Sequence, residues 1–139
     1  MPIDAYIPTG YVSDLQTRLS IYQRMSHNSS IDSIYSLSAE MEDRFGSVPD
    51  VVNNLIYILM LKHKAKDALV GSVIVENGEI VVKLIVDIGG ARLALQRYIG
   101  DLAVVGNIHL RMPLANKWRD RLLALLDLIK NFHLDLVSA

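Results

Sequence analysis

Three observations predict an α+β fold. Apolar residues recur at helical spacing through the first half, the period switches to strict alternation near residue 72, and a leucine-rich amphipathic stretch closes the chain. Three helices should form the N-terminal half. A small antiparallel sheet with a β-hairpin at 72–87 and a long C-terminal helix should follow. At 139 residues the chain is long enough for one domain, 1–139, with a substantial core. Hydrophobic residues make up 51% and charged residues 21%, a balance too apolar for disorder.

Residues 1–12 hold Pro2 and Pro8, which favour an extended lead-in segment. Ser13 with Gln16 three residues later is a capping-box pattern. Leu15, Leu19 and Tyr22 then fall at helical spacing, to about Met25. The HNSS run at 27–30 reads as a loop, with Ser29 or Ser30 as the next cap. Ile31, Ile34, Ser38, Met41 and Phe45 trace one face of a second helix, Leu37 widens it, and Gly46 supplies a left-handed stop. Pro49 suits the first turn of a third helix, with Asp50 near its positive end. Val51, Val52, Leu55, Ile58, Leu59 and the stem of Lys62 give that helix a broad apolar face. It should end near Leu69, with Gly71 closing it.

SVIVENGEIVVKLIVD then alternates. Asn77-Gly78 is a strong hairpin signal, because a type I′ turn needs positive φ at both central residues. Gly89-Gly90 breaks the second strand, ARLALQRYIG forms a short helix, and VVGNIHLRMPL forms a strand or strand pair. Asn116 caps a final helix whose apolar face is Trp118, Leu122, Leu125, Ile129 and Phe132.

Much chemistry is excluded or unsupported. A net charge of −1 argues against a general nucleic-acid binder. With no cysteine there are no disulfides, thiolate sites or cysteine nucleophiles, which fits a reducing, cytoplasmic location. The N-terminus lacks the basic and apolar regions of a signal peptide, and the apolar window 51–61 is too short to span a bilayer. Gly89-Gly90 has neither a P-loop lysine nor dinucleotide-loop spacing, and His27, His63, His109 and His133 are scattered singly.

The stretch LSAEMEDRFGSVPDVVNNL poses a question of its own. Glu40, Glu42 and Asp43 sit in the last turns of the second helix, where the dipole favours cations. Glu42 and Asp43 each cost a few tenths of a kcal/mol there at an exposed site, so a binding role and plain tolerance are both open.

IDAYIPTGYVSD, RLSIYQRM and LSAEMEDRFGSVPDVVNNLIYILMLKHKAK together resemble the C-terminal domain of the bacterial transcription-repair coupling factor family (Mfd). The shared features are an "ID..IP..Y" lead-in, an "R...Y.R" helix and an "E..DRFG..P..V.NLL" signature, matched in order and spacing over residues 3–66. Beyond them the hairpin, the short GN turn and the terminal helix are similar. The family's "LAKKLGI" segment is replaced by KHKAKDALVGSV, and residues 87–100 do not align.

The resemblance implies a module of a large motor that recognises stalled RNA polymerase, pushes it with an ATP-driven DNA translocase, and recruits the repair protein UvrA. ATP and Mg would belong to the motor, so this domain is expected to be non-catalytic, without cofactor or metal. It is further expected to be autoinhibitory, docking on the N-terminal UvrB-like module and covering the UvrA-binding surface. Carried across, the docking residues are Glu40, Asp43 and Arg44, facing basic residues of that module. Two other readings stay open. One is an enzyme with a site spread over loops. The other is a DNA-contacting domain using Lys62, Lys64, Lys66, Arg92, Arg97 and Arg111.

Overall fold

The computed structural model describes residues 3–27 and 30–138. Helices α1 (Leu15–Ser26), α2 (Ile31–Phe45) and α3 (Asp50–Asp67) are followed by strands β1 (Val70–Glu76) and β2 (Glu79–Leu84). Helix α4 (Arg92–Ile99), strands β3 (Val104–Val105) and β4 (His109–Pro113) and helix α5 (Trp118–Ser138) complete the chain. This is the α+β class that the sequence predicts. The chain forms two compact units, Pro2–His63 and Lys64–Ala139.

In the first unit, the lead-in is held along its length by backbone and side-chain bonds. The Asn54 amide donates to the Asp4 carbonyl at 2.7 Å, the Tyr6 N–H to Val51 at 3.3 Å, and the Ile7 N–H to the Tyr22 hydroxyl at 2.7 Å. Ile7 and Val12 are buried with Ile21, Met25, Ile34, Leu37, Met41 and Val52 in one apolar cluster. Each fully buried side chain of this kind contributes about 1.5–3 kcal/mol.

Three expectations for this unit are corrected. Asp14, not Ser13, caps α1, its carboxylate accepting from the Thr17 N–H at 3.0 Å. The stripe Leu15–Leu19–Tyr22 is the outward one, with Leu15 58% exposed, whereas Ile21 and Met25 are buried. The helix carries two apolar stripes, and the Tyr22 hydroxyl bond to the lead-in helps select the face that turns inward. Lys62 is exposed rather than packed by its stem. Ser30 caps α2, accepting from the Ser33 N–H at 3.1 Å; Pro2 and Ser29 lie outside the described residues.

In the second unit, the strands run in the order β1-β2-β4-β3, each antiparallel to its neighbours. Asn77 (φ 51°) and Gly78 (φ 76°) form the turn between β1 and β2, and both have the positive φ that a type I′ turn demands. The hairpin runs from Val70 to Leu84 rather than over 72–87. Leu69, at φ 60°, makes the turn after α3, and Gly71 lies inside β1 at a register irregularity instead of closing the helix. Ile80, Val82, Leu110 and Met112 are completely buried on one face of the sheet; Leu95 of α4 and Leu122, Leu125, Leu126 and Ile129 of α5 are completely buried too. The Gln96 side chain ties α4 to its surroundings. It donates to Gly100 and Ala103 carbonyls at 3.1 and 2.9 Å and accepts from the Val105 N–H at 2.8 Å. The first i→i−4 bond of α5 ends on the Lys117 carbonyl, so Lys117 rather than Asn116 holds the N-cap position.

Candidate functional site

Burial of Ile34, Leu37 and Met41 fixes which side of α2 faces outward. With 3.6 residues per turn, that leaves Asp32, Ser36, Ala39 and Asp43 along the solvent ridge, all exposed, with Glu40 and Arg44 on one flank. Glu40, Asp43 and Arg44, the residues that the resemblance singles out, are therefore neighbours at i, i+3 and i+4 on the outer side of α2.

The helix ends at Gly46, whose φ of 89° and ψ of −168° are open only to glycine at little cost, and whose N–H donates to the Glu42 carbonyl at 3.0 Å. Tyr11 of the lead-in closes this end. Its hydroxyl lies within donor distance of the Met41 and Gly46 carbonyls, and its ring meets Phe45 edge-on at 5.7 Å. Burial, followed by the charge of Glu42, raises the Tyr11 pKa above the ordinary phenol value.

The acids at this end have different surroundings. Glu40 accepts from the guanidinium of Arg24 in α1, an exposed pair of the kind that contributes at most about 1 kcal/mol. Glu42 lies near Tyr11. Asp43 makes no hydrogen bond or ion pair among the described residues. Arg44 lies over the ring of Phe45, its guanidinium carbon 4.9 Å from the centroid. A negatively charged oxygen and a stacked guanidinium thus stand side by side on a helix end, an arrangement suited to charge-assisted hydrogen bonding with a protein surface. Sequence reasoning missed the parts played by Arg24 and Tyr11, although both belong to the motifs quoted above.

The basic residues of the DNA reading are partly committed elsewhere. Lys64 lies 2.8 Å from Asp127, and Arg111 lies 3.7 and 3.9 Å from Glu76 and Glu79. Lys62 and Lys66 share one side of α3 and are exposed; Arg97 is exposed on α4. In the second unit, an open hollow of about 390 Å³ is lined by Asp67, Leu69, Lys130, His133 and Leu134. Lys130 pairs with Asp67 across it at 3.7 Å, and the buried His133 Nε2 has no hydrogen-bond partner among the described residues. Among the described residues no group of three or more His, Asp or Glu side chains could hold a metal ion, and no helix is long and apolar enough to cross a membrane.

Comparison with known proteins bears on residues 1–87, which match the TRCF domain family. A transcription-repair-coupling factor of Myxococcus xanthus is 38% identical over 84 residues, covering 60% of this chain and 7% of that protein. One of Staphylococcus aureus strain USA300 is 30% identical over 79 residues, covering 57% of this chain and again 7% of the relative. The matched segment is thus a small part of each relative's length. A crystal structure of the C-terminal domain of transcription-repair coupling factor superposes with a TM-score of 0.76 at 25% identity, covering 97% of this chain and 89% of the other. That match extends through α4, the sheet and α5, where the sequence signature fades. The chain is a small domain of this kind and not a nucleotide-binding motor domain: it belongs to the TRCF domain family, as a C-terminal domain of a transcription-repair coupling factor.

Proposed function

We propose that this domain is a non-catalytic regulatory module of a longer coupling factor. It docks through Glu40, Asp43 and Arg44 on the N-terminal UvrB-like module of the same protein, masks the UvrA-binding surface and restrains the DNA translocase. The carrying observation is Asp43, exposed and without a partner among the described residues, set against the negative end of its own helix beside Arg44. A charge left this way costs stability in the isolated domain and is compensated when a basic surface meets it. Tethering within one chain raises the effective concentration, so a weak, water-accessible contact suffices to hold the repressed state and still release it. Contact with RNA polymerase, UvrA and DNA, and the use of ATP and Mg, belong on this reading to the rest of the parent protein, in the cytoplasm. The pairing of Lys64 and Arg111 with acids weighs against the alternative of a basic DNA-contacting patch.

The test is calorimetric titration of the domain with the parent's N-terminal UvrB-like module, in wild-type and Asp43→Lys forms. Wild-type heat lost in the variant supports docking through this ridge. Equal binding by both forms removes Asp43 from the contact, and salt-dependent binding to duplex DNA in its place would favour the nucleic-acid reading.

A further inference from the structure

The docking ridge carries its own cation. Arg24, in the last turn of α1, reaches across to α2 and donates to the Glu40 carboxylate, and the two side chains remain 48% and 42% exposed. One helical turn along, Asp43 has no such partner among the described residues. The two acids are therefore not equivalent to an incoming guanidinium or ammonium group. At Asp43 a cation from outside replaces only water. At Glu40 it must displace an arginine that belongs to the same domain and pays no association entropy.

The geometry points to Arg24 as an internal competitor for the partner's cation. By occupying Glu40 it leaves Asp43 as the primary acceptor, and it sets the strength of docking below what the two acids together would give. The inference rests on the docking reading and deepens it: the surface selects a partner whose leading cation meets Asp43. A second cation engages Glu40 only as Arg24 swings away. Because the Arg24–Glu40 pair is exposed, its displacement is inexpensive, and the contact has two graded states instead of one. A ridge with a resident competitor also discriminates between partners. One isolated cation gains Asp43 alone, whereas a partner with two cations spaced for i and i+3 gains both acids.

The test uses this chain and a tetra-arginine peptide, so it does not depend on any larger partner. The side-chain carboxyl signals of Glu40 and Asp43 are followed by NMR during titration at roughly 0.1 M salt, where the Debye length is about 10 Å. In the wild type the Asp43 signal should move at peptide concentrations where that of Glu40 is still. In Arg24→Gln both should move together, and the peptide should bind roughly three- to tenfold more tightly. Lys62→Gln changes the net charge equally and controls for long-range attraction; it should not reproduce the gain. Adding Glu40→Gln to Arg24→Gln should abolish the gain, as a pairwise interaction requires. The proposal is overturned if Arg24→Gln binds the peptide no better than Lys62→Gln, if both carboxyls already move together in the wild type, or if the gain survives in the double variant. Failure of the UvrB-like module to bind, with the peptide pattern as expected, would instead count against the docking reading and leave the competitor standing.

Discussion

The Tyr11 hydroxyl lies 2.8 Å from the carbonyl oxygen of Gly46, a contact across 35 residues that ties the lead-in segment to the end of α2. Met41 offers its carbonyl to the same hydroxyl at 3.2 Å, so the phenol's single proton is shared between two carbonyls at the helix terminus. Tyr11 thereby caps the turn that carries Asp43 and Arg44. Removing the hydroxyl while keeping the ring against Phe45 isolates this role. Tyr11→Phe should lower stability by about 1 kcal/mol, the usual net contribution of one hydrogen bond. Amide exchange should accelerate at Arg44, Phe45 and Gly46 before it does in α3. Unchanged exchange at these three amides would remove the cap from the account.

The same residue gives an alkaline signature. Its folded-state pKa lies above the ordinary phenol value of 10.0, because burial and then Glu42 disfavour the phenolate. A raised folded pKa contributes stability that is fully present below the unfolded value and is lost as pH rises through the folded one. Unfolding free energy should therefore be insensitive to this group at neutral pH and should fall above about pH 10, by less in Tyr11→Phe than in the wild type. Urea midpoints at pH 8 and pH 11 for the two proteins check the difference.

At the other end of the first unit the sign reverses. Asp14 has its carboxyl held below the ordinary value, first by the Thr17 hydroxyl, then by the Thr17 N–H. A depressed pKa contributes stability present above the unfolded value and lost as pH falls through the folded one. Asp14→Ala should lower the thermal midpoint at pH 7. Asp14→Asn, which keeps a capping acceptor but cannot titrate, should retain more of the midpoint while losing this acid dependence. If the Ala and Asn variants melt alike, Asp14 is not acting as a cap.

Part of this was readable from the chain alone, and the division has a physical cause. The Asn77-Gly78 turn and the Gly46 stop were legible because each depends on φ values of one or two residues. The outward position of Asp43 followed from the spacing of Ile34, Leu37 and Met41, which is local to one helix. The inward face of α1 was not legible, because Leu15–Leu19–Tyr22 and Ile21–Met25 are both apolar stripes. Periodicity cannot choose between them without the tertiary bond from Ile7 to Tyr22. Gly71 sits where a helix stop is expected, but what requires glycine there is Ile85, fourteen positions away. The strand order and the Arg24–Glu40 pair are non-local in the same sense.

Gly71 supplies a prediction of its own. A Cβ built there would lie 2.8 Å from Cγ2 of Ile85, closer than carbon atoms approach one another. The Ile85 backbone is anchored by its N–H to the Leu69 carbonyl at 3.0 Å, so relief must come from turning a β-branched side chain whose χ1 is restricted. Gly71→Ala should cost about 1–3 kcal/mol through overpacking. In an Ile85→Ala background, where the clashing methyl is absent, the same change should cost far less. Ile85 is 61% exposed, so its own truncation should be mild. Additive effects in the double variant would show that the crowding is relieved by other means.

Asp43→Lys should separate docking from folding. No hydrogen bond or ion pair of Asp43 holds the described structure together, so its loss removes no partner and leaves no buried group unsatisfied. A lysine near the negative end of α2 gains from the helix dipole what the aspartate loses, about 0.3–1 kcal/mol at low salt. The thermal midpoint should hold or rise slightly. Affinity for a basic partner surface should drop, by roughly fivefold or more for a pair of like charges in place of an attractive one. That gap should narrow as salt rises and the exposed charges are screened. A variant that unfolds, or one whose midpoint falls by several degrees, would mean that Asp43 carries structural weight, and the ridge would then lose its strongest claim to be a contact surface.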